Sequence, residues 1–165
     1  DKVKNQDETD VDCGGMTCAK CADGKACLAN ADCAEEFDIA DPLSIELGTV
    51  MVLGEQGELH QSDHAYDRRV AGIVSGAGSH RPGIVLDKQT SKPNRLPIGL
   101  VGKVYCKVEA ESSPIKVGDL LTTSSTPGYA MKATDSLRSF GAVIGKALRP
   151  LAGGQGLIPV LVALQ

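Results

Sequence analysis

Ile45-Glu46-Leu47-Gly48 leads into an apolar run, Thr49 to Leu53, and Ile115-Lys116-Val117-Gly118 leads in the same way into Asp119 to Thr123. Each run reaches a turn containing Gly57 or Gly128, then returns through a short polar strand to a loop with Asp and Arg (Asp67-Arg68-Arg69; Asp135-Ser136-Leu137-Arg138). Each closes on an apolar strand with an embedded glycine, Val70-Ala71-Gly72-Ile73-Val74 and Val143-Ile144-Gly145-Lys146-Ala147. The pattern predicts an internal repeat over about 45–76 and 115–148. Neither copy carries an obvious catalytic constellation, so the repeat reads as scaffold.

Working outward, short strand-like runs alternate with Gly, Pro, Ser and Asp clusters. They fall at 49–53, 70–74, 83–86, 98–108, 119–123, 128–132, 141–148 and 157–164. In Lys103-Val104-Tyr105-Cys106-Lys107-Val108 charged or polar-tipped residues alternate with apolar ones, the mark of a half-buried strand. The last run is almost wholly apolar and reads as buried, with Pro159 placing its start at an edge or bulge. Helix signals are confined to one-turn candidates at 135–140 and 34–37. Together these predict an all-β fold, a compact sandwich or barrel of two similar hairpin units.

Composition supports that reading. Apolar residues make up 42% of the chain and aromatics only 3%, with no tryptophan, so Val, Leu, Ile and Ala must fill the core. So few aromatics leave little for stacking on sugars or single-stranded nucleic acid. A net charge of −4 provides no basic field for a phosphate backbone, which argues against nucleic-acid partners. No apolar run reaches the ~20 residues of a spanning helix, so membrane insertion is not expected. The first residue is Asp1 and no signal-peptide pattern follows it, which suggests a processed product or a fragment.

Residues 1–33 differ from 34–165. They hold Cys13, Cys18, Cys21, Cys27 and Cys33, many acids and almost no large apolar side chains. Two readings compete. A zinc knuckle would use Cys18 and Cys21, but no second close pair follows and no His is near. A disulfide framework formed in an extracellular compartment explains better why so core-poor a segment persists. Cys106 is the sixth cysteine, and a Cys33–Cys106 bridge with two more among Cys13, Cys18, Cys21 and Cys27 is the preferred arrangement. The plain alternative for Cys106 is a buried apolar thiol. Asp7, Asp10 and Asp12 offer oxygens of the kind calcium takes, the one cofactor the sequence suggests. Their spacing is not that of an EF-hand, and solvated acids on a leader are the simpler account.

Candidate chemistry in the main domain is thin. His60 and His64 flank a polar turn near Asp63 and Asp67, where polar residues are expected anyway. Ser113-Pro114-Ile115-Lys116 has the spacing of a Ser-x-x-Lys nucleophile, a motif that works at a helix start, whereas this one enters a strand. Ser124 and Ser125 lie in a turn whose chemistry already calls for them. Two polar loops remain as binding candidates, 76–83 with Ser79, His80 and Arg81, and 87–95 with Lys88, Lys92 and Arg95.

Three stretches carry a resemblance: Asp32-Cys33-Ala34-Glu35-Glu36-Phe37, Gly48-Thr49-Val50-Met51-Val52-Leu53 and Tyr66-Asp67-Arg68-Arg69-Val70-Ala71-Gly72-Ile73-Val74-Ser75. With them, residues 32–165 resemble the C-terminal domains of phage tail-fibre and appendage proteins, some of which are intramolecular chaperones that promote trimerisation and then cut themselves off. The second copy is also similar to phage head-decoration proteins, small β folds that commonly assemble as trimers. The leader, from Asn5 to Gly15, resembles Cys-rich segments of secreted bacterial proteins. These resemblances imply a self-associating structural module of a fibre, appendage or surface assembly, with a cell-surface or fibre partner. The alternatives are a self-cleaving serine peptidase domain or a receptor-binding tip. The expected interprotomer strands are 50–53 and 157–164, unless their side chains fill the internal core.

Overall fold

A computed structural model describes residues 32–79, 82–89 and 94–164. The strands are β1 (Cys33–Asp38), β2 (Val50–Leu53), β3 (Leu59–Gln61), β4 (Val70–Val74), β5 (Ile84–Leu86), β6 (Arg95–Glu109), β7 (Leu120–Thr123), β8 (Ala130–Lys132), β9 (Val143–Ala147) and β10 (Gln155–Ala163). The one α-helix among the described residues is α1 (Ser136–Ser139), a single turn whose amides from Leu137 and Arg138 are capped by the Asp135 carboxylate. The fold is all-β.

β6 organises the molecule. Its second half pairs with β10 from Val101↔Ala163 to Glu109↔Gln155, and β10, β9, β7 and β8 lead back to β6 through Val108↔Ala130. That path closes a barrel and removes the free edges an open sheet would leave. The first half of β6 pairs with β1 on one side and β4 on the other, and β4 continues to β2 and β3. One strand therefore carries both halves of the fold.

The barrel interior is filled by Val104, Cys106, Val108, Leu121, Ile144, Ile158, Val160 and Val162, joined by Val50 and Ile73 from the first half. A second cluster of Met51, Leu59, Val74 and Ile98 packs under β1 and the 3-10 turn at Pro42–Ser44. The alternation along β6 and β10 explains the barrel core, because every second residue points inward. Pro159 lies just beyond the β9 pairing, which begins at Val160↔Ala147, and its carbonyl takes the Leu148 N–H. The strand thus has no β9 ladder bond to lose at its proline.

The segments 45–76 and 115–148 share local geometry. Gly48 N–H donates to Val74 O and Gly118 N–H to Ala147 O, each at 2.8 Å. Val74 N–H returns to Thr49 O and Ala147 N–H to Asp119 O, each at 2.9 Å. Both glycines have left-handed φ, +86° and +87°, which a side chain would strain. Ladder β2–β4 slips at Met51/Val52, and ladder β7–β9 slips at the equivalent Leu121/Thr122. A bulge of this kind bends a strand and sharpens its twist.

Three sequence expectations are corrected. Residues 34–37 form no helical turn but lie in β1, held between β5 and β6. Cys33 is disulfide-bonded and Cys106 is a free, buried thiol, so the Cys33–Cys106 bridge does not form. The register explains it. Cys33 stands opposite Val101, and Cys106 lies about 16 Å further along β6 at ~3.3 Å per residue, well beyond disulfide reach. Finally, Val50, Met51 and Val52 are internal core, not an interprotomer face, whereas β10 divides into inward Ile158, Val160 and Val162 and exposed Leu157 and Leu161.

Candidate functional site

The two loops selected from sequence behave differently. In loop 87–95, Arg95 is not a binding residue: its side chain is only 7% exposed. It pairs with Asp87 at 2.6 Å and Asp38 at 3.4 Å, and it donates to the carbonyls of Asp87 and Glu36. The hydrogen-bonded Asp87 carboxylate raises the guanidinium pKa further. Arg95 therefore clamps β1 to the segment after β5, and Lys88 is left exposed on that loop. In loop 76–83, Ser79 lies 3.4 Å from the Tyr105 hydroxyl, and a side chain at Gly78 would run into the Tyr105 ring. His80, Arg81 and Lys92 lie outside the described residues, as do Asp7, Asp10, Asp12, Cys13, Cys18, Cys21 and Cys27.

A groove of about 520 Å3 runs along β2 and β3 and is lined by Ile39, Asp41, Ile45, Leu53, His60 and His64, among others. Each histidine contacts the carboxylate of a sequence neighbour: His60 Nε2 is 2.7 Å from Glu58, and His64 Nδ1 contacts Asp63. The His60 hydrogen bond holds the Glu58 carboxyl below its ordinary range. Among the described residues, no group of three or more His, Cys, Asp or Glu side chains is arranged to hold a metal. The histidines decorate an open polar rim.

A cleft of about 490 Å3 opens where β6 and β8 splay apart, between Glu109, Ser112 and Ser113 on one side and Met131 and Lys132 on the other. Glu109 is buried, accepting from Ser124 Oγ and from Glu111 N–H, each at 2.8 Å. Ser124 also accepts from Thr126 N–H at 3.0 Å, so its hydroxyl serves the turn. The Ser-x-x-Lys spacing runs from a bend at Ser113 to an isolated bridge: Ile115 is buried and bridges Leu151, and Lys116 N–H donates to Asp119 at 2.7 Å. The helix start that would aim Ser113 at Lys116 is not there.

Tyr66 closes one end of this cleft and was not singled out by the sequence reading. Its φ of 61° is left-handed, unusual for a bulky residue. Its hydroxyl accepts from the N–H groups of Thr134 and Asp135, each at 3.0 Å, and the Arg138 guanidinium lies over its ring at 4.4 Å. Burial pushes the phenol pKa up, but these hydrogen bonds outweigh it and the net direction is down. The backbone of the same loop donates to Thr123 O at 3.1 Å and Thr123 Oγ1 at 2.7 Å. Tyr66 is thus a clasp between the two halves of the fold.

The most conspicuous surface feature is apolar. Leu43 is 99% exposed at the 3-10 turn, and Leu137 in α1 and Phe140 just after it are 85% and 83% exposed. In a chain with so few aromatics, leaving one Phe in water is a poor use of core volume, and such residues commonly mark contact surfaces. No helix among the described residues is long and apolar enough to cross a membrane.

These features define an all-β domain with a closed barrel, whose polar clefts serve structural hydrogen bonds and whose surface carries unpacked apolar side chains. Its fold is similar to that of the C-terminal fragment of bacteriophage phi29 gene product 12, at 15% identity and a TM-score of 0.53, over 80% of this chain and 100% of the fragment. It is similar also to the pre-mature phi29 gene product 12, at 15% identity and a TM-score of 0.55, over 81% of this chain. The chain matches 21% of that longer protein. No family model matches the sequence, and no curated protein is similar to it.

Proposed function

We propose that this chain is an assembly module of an extracellular fibre, appendage or surface structure, and that it works as a homotrimer. The observation that carries the reading is a fold shared along the full length of the phi29 gene product 12 C-terminal fragment, a part of a larger phage protein. The exposed Leu43, Leu137 and Phe140 support it, since burying them between copies would contribute about 25 cal/mol per Å2 of apolar area. The five cysteines among residues 1–33 support an oxidising, extracellular setting. Sedimentation velocity in non-reducing buffer tests it. A trimer is expected, and a monomer at every concentration overturns it.

One observation favours a second reading, a self-cleaving chaperone domain: the phi29 protein is known both in a pre-mature form and as a C-terminal fragment. A longer precursor, expressed and followed by mass spectrometry as it folds, distinguishes the two. Release of this domain at one fixed bond supports self-cleavage, and a precursor that stays intact removes it.

A further inference from the structure

Glu109 is the last residue of β6, and it lines the cleft of about 490 Å3 where β6 and β8 part after Val108↔Ala130. It is only 5% exposed. Its carboxylate accepts Ser124 Oγ on one oxygen and Glu111 N–H on the other, each at 2.8 Å. Acceptance on both oxygens is the pattern of an ionised carboxylate, which has about four acceptor sites, so roughly half remain open. Both donors are neutral. Among the described residues, no Lys, Arg or His forms an ion pair with Glu109.

The two cations that line the same cleft are engaged elsewhere. Lys132 pairs with Asp119 at 2.8 Å. Arg138, at the Tyr66 end, donates to Ala65 O at 3.0 Å and covers the Tyr66 ring. A negative charge taken out of water without a counter-ion is costly, and a positive group that reaches it recovers part of that cost. A metal ion asks for more ligands than the cleft supplies, since no group of three or more His, Cys, Asp or Glu is assembled among the described residues. An ammonium asks for less: a carboxylate and neighbouring hydroxyl oxygens satisfy its donors. Ser112 and Ser113 stand on the Glu109 side of the cleft, and Met131 on the other side offers apolar, adaptable surface to an alkyl stem. Arg138 repels a second cation at the far end, so the cleft favours one orientation.

We infer that this cleft binds a primary ammonium group carried on an alkyl stem. Glu109 is its counter-ion, Ser112 and Ser113 are further acceptors, and Met131 packs against the stem. Such a group comes from a lysine side chain of a peptide or from a free alkylamine. The site is built within one chain, so it stands or falls separately from the assembly reading.

The test follows amide chemical shifts of the full, isotope-labelled chain by NMR at fixed pH and ionic strength. The probes are butylammonium and Nα-acetyl-lysine amide, with the uncharged Nα-acetyl-norleucine amide as the control. Saturable shifts are expected at the Glu111, Ser112 and Ser113 amides with the ammonium probes and not with the control. Tighter binding of the lysine amide marks a peptide as the source, and tighter binding of butylammonium marks a free amine. Glu109→Gln should weaken binding by about tenfold or more, the scale of a hydrogen bond to a charged group. Ser112→Lys, at an exposed residue, sets a tethered ammonium beside Glu109 and should compete with both probes. Glu55→Gln removes the same charge from an exposed turn outside the cleft and should bind as the wild type does. Circular dichroism checks each fold, and should Glu109→Gln fail to fold, Ser112→Lys carries the test. Equal response to the norleucine amide, no saturable shift with either ammonium at millimolar probe, or wild-type affinity in folded Glu109→Gln or Ser112→Lys overturns the inference.

Discussion

Segments 45–76 and 115–148 share a bulged three-strand unit but put opposite chemistry on one row of it. In the first unit the row is Val50 on β2 and Ile73 on β4, both buried in the barrel core. In the second, the matching positions are Leu120 on β7 and Lys146 on β9, both exposed. The backbone bonds at the entry turns agree to the second figure, so the difference is made by side chains alone. The same face is turned inward in one unit and left in water in the other. Binary patterning, with the backbone held constant, decides which units become core and which become surface.

Exchanging those residues breaks the comparison most severely. Ile73→Lys places an ammonium inside the fully buried apolar cluster, which costs several kcal/mol and abolishes the cooperative melt. The reciprocal Lys146→Ile removes a solvated charge, leaves the melting temperature nearly unchanged and promotes association. Thermal denaturation and sedimentation of the pair measure both halves of this prediction. Equal effects on stability would mean that the two rows do not differ in burial.

Next in size is the bulge residue. The second unit carries Ile144 there, fully buried in the barrel, and the first carries Ala71. Ile144→Ala should cost about 2–5 kcal/mol, the usual range for truncating a buried aliphatic side chain. Chemical denaturation reads it directly. A loss under about 1 kcal/mol would show that the neighbouring strands collapse into the space.

Most of the scaffold was legible in the sequence, because its signals are local. The alternation in Lys103–Val108, the glycines at 48 and 118, and the Asp135 cap each declare a strand, a turn and a helical start without help from the rest of the chain. β1 was not legible: Ala34-Glu35-Glu36-Phe37 has helical propensity, and its strand state is imposed by pairing with β5 and β6, far away in sequence. The same limit hid the site residues. Arg95 looks like a loop cation until Asp38 and Asp87 are brought to it, and Cys106 looks like a bridge partner until the register separates it from Cys33.

A smaller effect tests the clasp that joins the two units. Tyr66→Phe keeps the ring under Arg138 but removes the acceptor for the Thr134 and Asp135 amides. Both amides can turn to water at this exposed site, so the cost should be near 1 kcal/mol. Hydrogen exchange should then quicken at Thr134 and Asp135 and stay unchanged in β2. A loss of several kcal/mol would mean instead that the left-handed backbone at Tyr66 depends on the hydroxyl.

The smallest effect separates the units by pH. The turn before β7 is tied by Asp119, whose carboxylate accepts Lys116 N–H at 2.7 Å and pairs with Lys132 at 2.8 Å. Its hydrogen bond with Lys132, followed by that from Lys116 N–H, holds the carboxyl below its ordinary range in the folded chain. A carboxylate lowered on folding contributes stability above its unfolded pKa, near 3.9, and loses it as pH falls through the folded value. Thr49 occupies the equivalent position in the first unit and does not titrate. Acidification below about pH 4 should therefore weaken protection of the Gly118 amide while Gly48, in the same hydrogen bond, keeps its own. The change should stay under about 1 kcal/mol, as expected for a single ion pair near the surface. Asp119→Asn should remove the difference between the two amides, because Asn still accepts the Lys116 N–H but carries no charge to lose. If Gly48 and Gly118 lose protection together, acid acts through the shared barrel and not through this turn.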